Sequence, residues 1–501
     1  MLVPAEGSSS MRCDGVRRRR MFRCFVPAVE GVWLPAVHSS CLHNEVAALA
    51  LRTMGPTPSD PLDGGSWPPE VRRVFTELRV LVKKCNLERW SLERVVASYK
   101  GAMRRRYEKA RLSLEDEGLG HSDFVLSGFL KAEKFNPLAK VSKPRLINPR
   151  SPRYNLVLAS FLKPLEHALW QKWKVGWNCR PTRVSGKGLN PRERAELIER
   201  KMASVGDCVV FEVDGKAFEA HVTKQQLLLE QSVYRAAYPG DLTLGRLLQV
   251  QLRLRGRTAG GVKYGRQGGR ASGDFNTGLG NTILMGCFVI AAMRTLGTRH
   301  RWTVLADGDN CLLFLERALA QSVHDRFFDL IRGVCAHEMT VEKPVTLLEQ
   351  VTFGQSRPVR TARGPVMVRD PWKVLSGAFC GYRHYVDRSF APRLIRAVAQ
   401  AEASLSRGVP VLGPYFACAE ALTKRYRPLR DPEAFLPYHL LGVSDPGDVP
   451  VTAEARRSFE LAFGIGAEEQ RWLEARLCDI LRRHLTRVLD SGEWLKRTVQ
   501  P

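Results

Sequence analysis

The sequence predicts an α+β protein, and three observations predict it. Cys208–Val213 is an apolar run fit for a central strand. "TVLADGDNCLLFLE" (303–316) sets Asp307, Gly308, Asp309 and Asn310 between two short apolar runs, Thr303–Ala306 and Cys311–Leu315. Helical periodicity with many basic residues fills about 70–117, and a helical pattern returns from about 390. The length, 501 residues, suits two to four domains or one large multi-lobed enzyme.

Residues 1–65 read as an N-terminal extension ending in a linker, "GPTPSDPLDGGSWPP", with one short helix in "HNEVAALALRTM". Residues 131–153 are basic and broken by proline, and 155–170 form an apolar helix pattern. Residues 208–316 mix strands and helices with dense glycine. Thr223 followed by Gln226 has the form of a capping box, so a helix starts at Lys224 and stops at "YPG", 238–240. A second helix follows from about Thr277. Asp-Gly between apolar runs is a strong hairpin signal, because the tight turn needs backbone angles that Asp and Gly tolerate. "LIRAVAQAEASL" and "EEQRWLEARLCDILRRHLTRVL" are helical. The chain shows no internal repeat.

Lys plus Arg number 77 against 51 acidic residues, a net charge of +26, which points to a polyanionic partner, nucleic acid or an anionic membrane surface. Hydrophobic residues make up 44%, enough for a sizeable core. The 12 cysteines form no CxxC pair and accompany no His cluster at zinc spacing, so reduced thiols in a cytosolic compartment are expected. "ILMGCFVIAAM" (283–293) is too short to span a bilayer, and no signal-peptide core follows Arg17–Arg20. The expectation is no transmembrane segment, with any membrane association coming from a surface patch or a partner.

Four segments carry chemistry. Asp214 closes the strand 208–213, on a rim where ligands bind. In "GGRASGDFNTGLGNTILM", Gly269, Gly273, Gly278 and Gly280 allow close backbone approach to a ligand. Neither a P-loop lysine nor a GxGxxG fingerprint is present. The hairpin tip carries Asp309. The strip 131–153 holds Lys131, Lys134, Lys140, Lys143, Arg145, Arg150 and Arg153 with one acid, Glu133, and suits triphosphate or backbone phosphates. Two carboxylates on adjacent strands can hold two divalent ions about 3.5–4 Å apart. With the basic strip, that combination is the equipment of nucleotidyl transfer.

These segments resemble the RNA-dependent RNA polymerases of positive-strand RNA viruses, most closely the tombusvirus-like branch. Asp214 with "FEAHVT" is similar to that family's motif A, "SGDFNTGLGN" to motif B and "DGDN" to motif C. "KAEK…KPRLINPR" is similar to motif F, and "VTFGQSRPV" (351–359) to motif E. The resemblance covers about 131–375. It implies a right-hand polymerase fold, with an antiparallel palm sheet and flanking helices. Fingers would span 66–207 and about 240–265, palm 208–375, and a helical thumb 376–501. The implied reaction is replication of a positive-strand genome by two-metal transfer of nucleoside triphosphates onto an RNA 3′ end. Two residues depart from the pattern. Glu219 stands for the second Asp of motif A, and Asn310 for the second Asp of motif C. Gly-Asp-Asn also occurs among ambigui-like viruses of fungi, which favours a working variant.

The resemblance assigns Mg²⁺ or Mn²⁺ to Asp214 and Asp309, with Asn310 as a weak third ligand. It sets Ser272, Thr277 and Asn281, together with Glu219, at the ribose of the incoming nucleotide, within a nucleotide-binding loop that includes Gly273 and Asp274. Lys131, Lys143 and Arg145 would contact triphosphate, with Arg150 or Arg153 contributing. Thr340 stands where motif D usually has a general-acid lysine, and Lys343 lies three residues on; that role stays unassigned. Expected partners are single-stranded template, nascent RNA, nucleoside triphosphates and membrane-bound viral replication proteins. The expected location is a membrane-associated complex in host cytoplasm. The alternatives are an RNA-binding replication subunit impaired through Asn310, and a reverse transcriptase. The retained Asp214, Asp309 and motif B argue against the first. The absence of an aromatic-x-Asp-Asp box argues against the second.

Overall fold

The computed structural model describes residues 2–3, 21–23, 25–56, 66–139, 142–335, 337–381, 389–429, 449–491 and 497–498. Arg17–Arg20, Lys140 and the linker residues 57–65 lie outside the described residues.

Strands β1 (Leu2–Val3) and β2 (Met21–Arg23) precede helix α1 (Leu42–Ala48), which continues through a π turn, Leu49–Thr53. Helix α2 (Pro69–Lys84) buries Val71, Val74, Phe75, Leu78 and Val82, the helical spacing that predicts it. The rest of the basic stretch is two helices, α3 (Leu92–Ala97) and α4 (Gly101–Asp116). Strand β3 (Leu126–Leu130) precedes the proline-broken strip, and β4 (Leu146–Ile147) lies within it. Helix α5 (Pro152–Lys172) starts at a Ser151 cap and is buried on most of its faces. A small ribbon, β5 (Lys174–Val175) with β6 (Thr182–Arg183), leads to α6 (Pro191–Val205), which opens with a complete Asn190–Glu193 capping box.

The centre of the chain is β7 (Cys208–Gly215), α7 (Phe218–His221), α8 (Lys224–Ala237), α9 (Leu242–Gln249), β8 (Arg253–Thr258), β9 (Lys263–Gln267) and α10 (Thr277–Thr295). As predicted, α8 starts at Lys224, where the Thr223 side chain accepts from the Gln226 N–H. The hairpin follows as β10 (Trp302–Asp307) and β11 (Asn310–Glu316), then α11 (Ala320–Arg332) and β12 (Met339–Val341). After the β13 (Ser356–Thr361) and β14 (Gly364–Arg369) hairpin come α12 (Pro371–Gly377) and β15 (Cys380–Gly381). Helices α13 (Ala391–Ser406), α14 (Leu412–Leu422), Ala453–Phe463 and Ala467–Ser491 and strand β16 (Arg497–Thr498) complete the chain.

The central sheet has the order β10–β11–β7–β12 and is antiparallel throughout. Its alternating residues serve two cores. Val209, Phe211, Val213, Val304, Ala306 and Leu313 join the cluster that contains α10. Cys208, Val210, Leu305, Leu312 and Phe314 join Ala195, Leu197 and Ile198 of α6. Burial on both faces explains why these strands read as unbroken apolar runs. Among the described residues, α10 is the one helix long and apolar enough to cross a membrane, and 83% of the window that qualifies is buried inside the protein.

A second sheet, β1–β9–β8–β3–β4, carries the end of the basic strip, with β3 and β8 parallel. A separate core gathers α13, α14 and the two long C-terminal helices against Val359, Val366 and Val368. Strand β2 pairs with both β15 and β16, and α1 packs into the second sheet's core. The N-terminal extension therefore contributes structure to both parts.

Candidate active site

The hairpin register pairs Asp307 with Asn310, which leaves Gly308 and Asp309 as a two-residue loop. Gly308 has φ +68°, a left-handed angle that costs glycine little, and its N–H donates to Thr282 Oγ1 at 2.8 Å. Register then sets Asn310 opposite Asp214 on one side of β7 and Thr340 opposite it on the other. Asp214, Asp309 and Asn310 thus come together at one end of the sheet. Lys343 is exposed just beyond β12.

The three aspartates here have different neighbours. Asp307 is paired with Lys187 at 2.5 Å and with Arg194 at 2.6 Å, and its side chain is 12% exposed. Neither the side chain of Asp214, which is exposed, nor that of Asp309, which is half-buried, has a hydrogen bond or ion pair with any described residue. Burial and the Asp214 charge push the Glu212 carboxyl above the usual range. Two uncommitted carboxylates and an amide form an all-oxygen donor set, the chemistry that hard divalent cations such as Mg²⁺ and Mn²⁺ take. No group of three or more His, Cys, Asp or Glu able to hold a metal occurs among the described residues, so an ion here would rest on Asp214, Asp309 and the Asn310 oxygen.

Beside them, Arg52, Arg145, Glu219, Arg270, Ser272 and Asp309 line a cavity of about 140 Å³. The Ser272 hydroxyl donates to the Glu219 carboxylate. Arg145 lies 3.9 Å from Glu219 and 3.7 Å from Glu133, which also holds Lys131. Lys143 is exposed, and Lys134 donates to the Gly377 carbonyl at 2.6 Å.

Other residues read as site candidates are not among those lining this cavity, although Asn281 adjoins it through Arg270. Arg150 is buried against buried Asp274, and also donates to the carbonyls of Phe124 and Val250 at 3.1 and 2.8 Å. Arg153 is held by Asp123 at 3.2 Å and by carbonyls at the end of α4. Inside the protein these charges satisfy one another, so the structure does not bring Arg150, Arg153 or Asp274 to a ligand. Thr277 Oγ1 donates to the Ala271 and Asp274 carbonyls and accepts from the Gly273 N–H at 3.2 Å, closing the loop on itself. Asn281 is buried, and its oxygen accepts from Arg270 Nε at 2.9 Å. A Cβ on Gly280 would meet Glu230 and Arg270, so that glycine admits the protein's own ion pair rather than a ligand.

Lys187, Arg194, Arg270 and Glu230 escape the sequence reading. The only local signal for Arg270 was a cation inside a glycine-rich loop; Lys187, in "SGKG", gave even less.

A family described as viral RNA dependent RNA polymerase matches residues 16–482. The chain belongs to this polymerase family. Relatives include the RNA-directed RNA polymerase of Panicum mosaic virus (strain United States/Kansas 109S), 30% identical over 396 residues, 76% of this chain and 39% of the relative. That of Red clover necrotic mosaic virus is 32% identical over 403 residues, 77% of this chain and 51% of the relative. That of Tomato bushy stunt virus (strain Cherry) is 33% identical over 386 residues, 76% and 46%. The chain spans about half or less of the length of these polymerases. The likeness to the tombusvirus-like branch holds across most of the chain.

Proposed function

We propose that the chain is an RNA-dependent RNA polymerase of a positive-strand RNA virus, extending an RNA 3′ end on an RNA template from nucleoside triphosphates. The observation that carries this reading is Asp214 and Asp309, free of protein cations at the end of the central sheet, beside a cavity lined by Arg145, Glu219 and Ser272. The central sheet with α10 serves as the palm, 208–375. Fingers come from 66–207 with about 240–265, and a helical thumb from 376–501. The separate core of the C-terminal helices supports a distinct helical thumb, though it also takes in Val359, Val366 and Val368 from before residue 376.

Asp214 and Asp309, with Asn310, would hold Mg²⁺ or Mn²⁺. Bound there, divalent ions supply a more nucleophilic 3′-oxygen and charge neutralisation at the leaving pyrophosphate. Arg145, Lys131 and Lys143 hold the triphosphate, which displaces Glu133 from the first two. Glu219, Ser272 and Asn281 recognise the ribose. Arg150, Asp274, Gly273 and Thr277 shape the loop that presents Ser272. RNA template and product follow the basic surface. Association with a membrane-bound replication complex in host cytoplasm would run through a partner or surface patch, because α10 is committed to the core.

The test is incorporation of labelled UTP and dUTP by purified protein on an RNA template, with Mg²⁺ and Mn²⁺ compared. UTP incorporation is the expected result. Equal use of dUTP would favour a reverse transcriptase. RNA binding without incorporation in either metal would favour an impaired replication subunit.

A further inference from the structure

We infer that Arg270 is a positioning residue for sugar recognition: paired with Glu230 in the interior, it fixes the Asn281 amide so that the NH₂ group faces the ribose. This rests on the polymerase reading above. The Arg270 and Glu230 side chains are 3% and 0% exposed and form a two-pronged ion pair, Nη1 to Oε1 at 3.1 Å and Nη2 to Oε2. The third nitrogen, Nε, donates to Asn281 Oδ1 at 2.9 Å. A guanidinium has donors only, so the atom of Asn281 that meets it must be the oxygen. The amide NH₂ is then turned the other way, and no described residue accepts from it.

The rest of the network holds the pair still. Glu230 also accepts from the Tyr234 hydroxyl at 2.6 Å and from Asn276 at 3.3 Å, and Asn276 is held in turn by Gln251 at 2.8 and 3.1 Å. Gly280 lacks the side chain that would occupy the place of the ion pair. The Arg270 backbone N–H donates to the Glu219 carbonyl at 2.8 Å, so the same residue ties down the segment that carries the Glu219 carboxylate. Stability alone is a weak reason to keep such a pair, because apolar replacements of buried ion pairs are often neutral or stabilising.

The polarity fits a hydroxyl. In the inferred pose a ribose 2′-OH would donate to the Glu219 carboxylate and accept from the Asn281 NH₂. With the amide reversed, two acceptors would face one O–H, and one would be left unmet. A deoxyribose leaves both groups without a partner, which is how a site built for a hydroxyl rejects the analogue lacking it.

The test is the ratio of kcat/KM for UTP to that for dUTP on one RNA template. Arg270→Lys keeps a charge for Glu230 but loses the Nε donor, and the ratio should fall about tenfold, roughly the worth of one hydrogen bond. Asn281→Asp still accepts from Arg270 but has no NH₂, and should lower the ratio by a similar factor. The double variant should fall no further, since both changes remove the same presented group. A folded Arg270→Lys protein with the wild-type ratio, or losses that multiply in the double variant, would overturn the inference. Should Arg270→Lys fail to melt cooperatively, Asn281→Asp decides alone, and a wild-type ratio there overturns it. A wild-type protein that incorporates neither nucleotide would instead defeat the polymerase reading itself.

Discussion

Asp307 and Asp309 stand two residues apart on one hairpin, and only their neighbours differ. Lys187 and Arg194 already neutralise Asp307, so it anchors the tip to α6 and to the loop before it. Among the described residues Asp309 has no such partner, and neither does Asp214. Substituting Asp214→Ala or Asp309→Ala should abolish RNA synthesis while RNA binding, measured by filter retention, stays close to wild type. Both changes remove charge from the sheet end and leave the basic strip intact. Near-normal synthesis by either variant would refute the assignment. Asn310 contributes an oxygen without a charge. Mg²⁺ demands near-ideal octahedral geometry, whereas Mn²⁺, a first-row transition ion, binds mixed oxygen sites more tightly than Mg²⁺. The wild type should therefore gain markedly in Mn²⁺, and Asn310→Asp should shift the preference toward Mg²⁺. Unchanged metal preference in an active Asp variant would remove Asn310 from the ligand set. These three residues were legible in the sequence because strand ends and Asp-Gly turns are local signals. The fate of Arg150 was not. Its partner Asp274 lies 124 residues away, and which cation goes inside is decided by that packing.

At the scale of elements, the Arg150–Asp274 pair joins the start of α5 to the loop before α10. Asp274 also accepts from the Arg150 backbone N–H at 3.1 Å, so one carboxylate holds both the strip's main chain and its guanidinium. Removing one partner leaves a buried charge unmet. Asp274→Ala should cost about 3–5 kcal/mol in urea unfolding, and Arg153→Ala, at a partly exposed pair, distinctly less. Equal costs would mean that burial does not set the energetics. Lys201 gives a second test. Its Nζ is fully buried on α6 and donates to Thr182 Oγ1, Thr303 Oγ1 and the Val304 carbonyl at 2.7, 3.2 and 2.8 Å. Burial without a facing carboxylate pulls its pKa down to about 7. Between about 7 and the ordinary lysine value of 10.5, the unfolded chain binds the proton and the folded chain does not. This group's contribution to stability therefore rises with pH across that window and is constant below it. In Lys201→Met the melting temperature should rise less between pH 7 and pH 10 than in the wild type. A parallel pH response would show that Lys201 does not titrate as its burial implies.

For the molecule as a whole, the helices and the central hairpin were legible because each is written in a short window of apolar spacing and capping residues. The parallel pairing of β3 with β8 was not, because it joins Leu126 to Gly256, far apart in the chain; nor was the capture of β2 between β15 and β16, because strands of two or three residues carry almost no periodicity. Charge is the one global property that composition states directly, and it leads to the last prediction. Much of the positive excess is not free to act: Arg111, Arg150, Arg153, Arg194 and Arg270 all have carboxylate partners. A cation already paired inside the protein displaces no counterion from RNA. Exposed cations such as Lys143, and Arg104, Arg105 and Arg106 on α4, for which the described residues provide no ion pair, are the ones that can. Each phosphate contact to a single strand lowers log affinity by about 0.7 per unit of log salt. The slope should thus count contacts well below the formal +26 and be the same for unrelated template sequences, because phosphates carry no sequence. Binding constants for two unrelated single-stranded RNAs, measured across a salt series, test this. A flat response would show that the charge serves another partner, and slopes that differ between the two RNAs would show that bases, not phosphates, are being read.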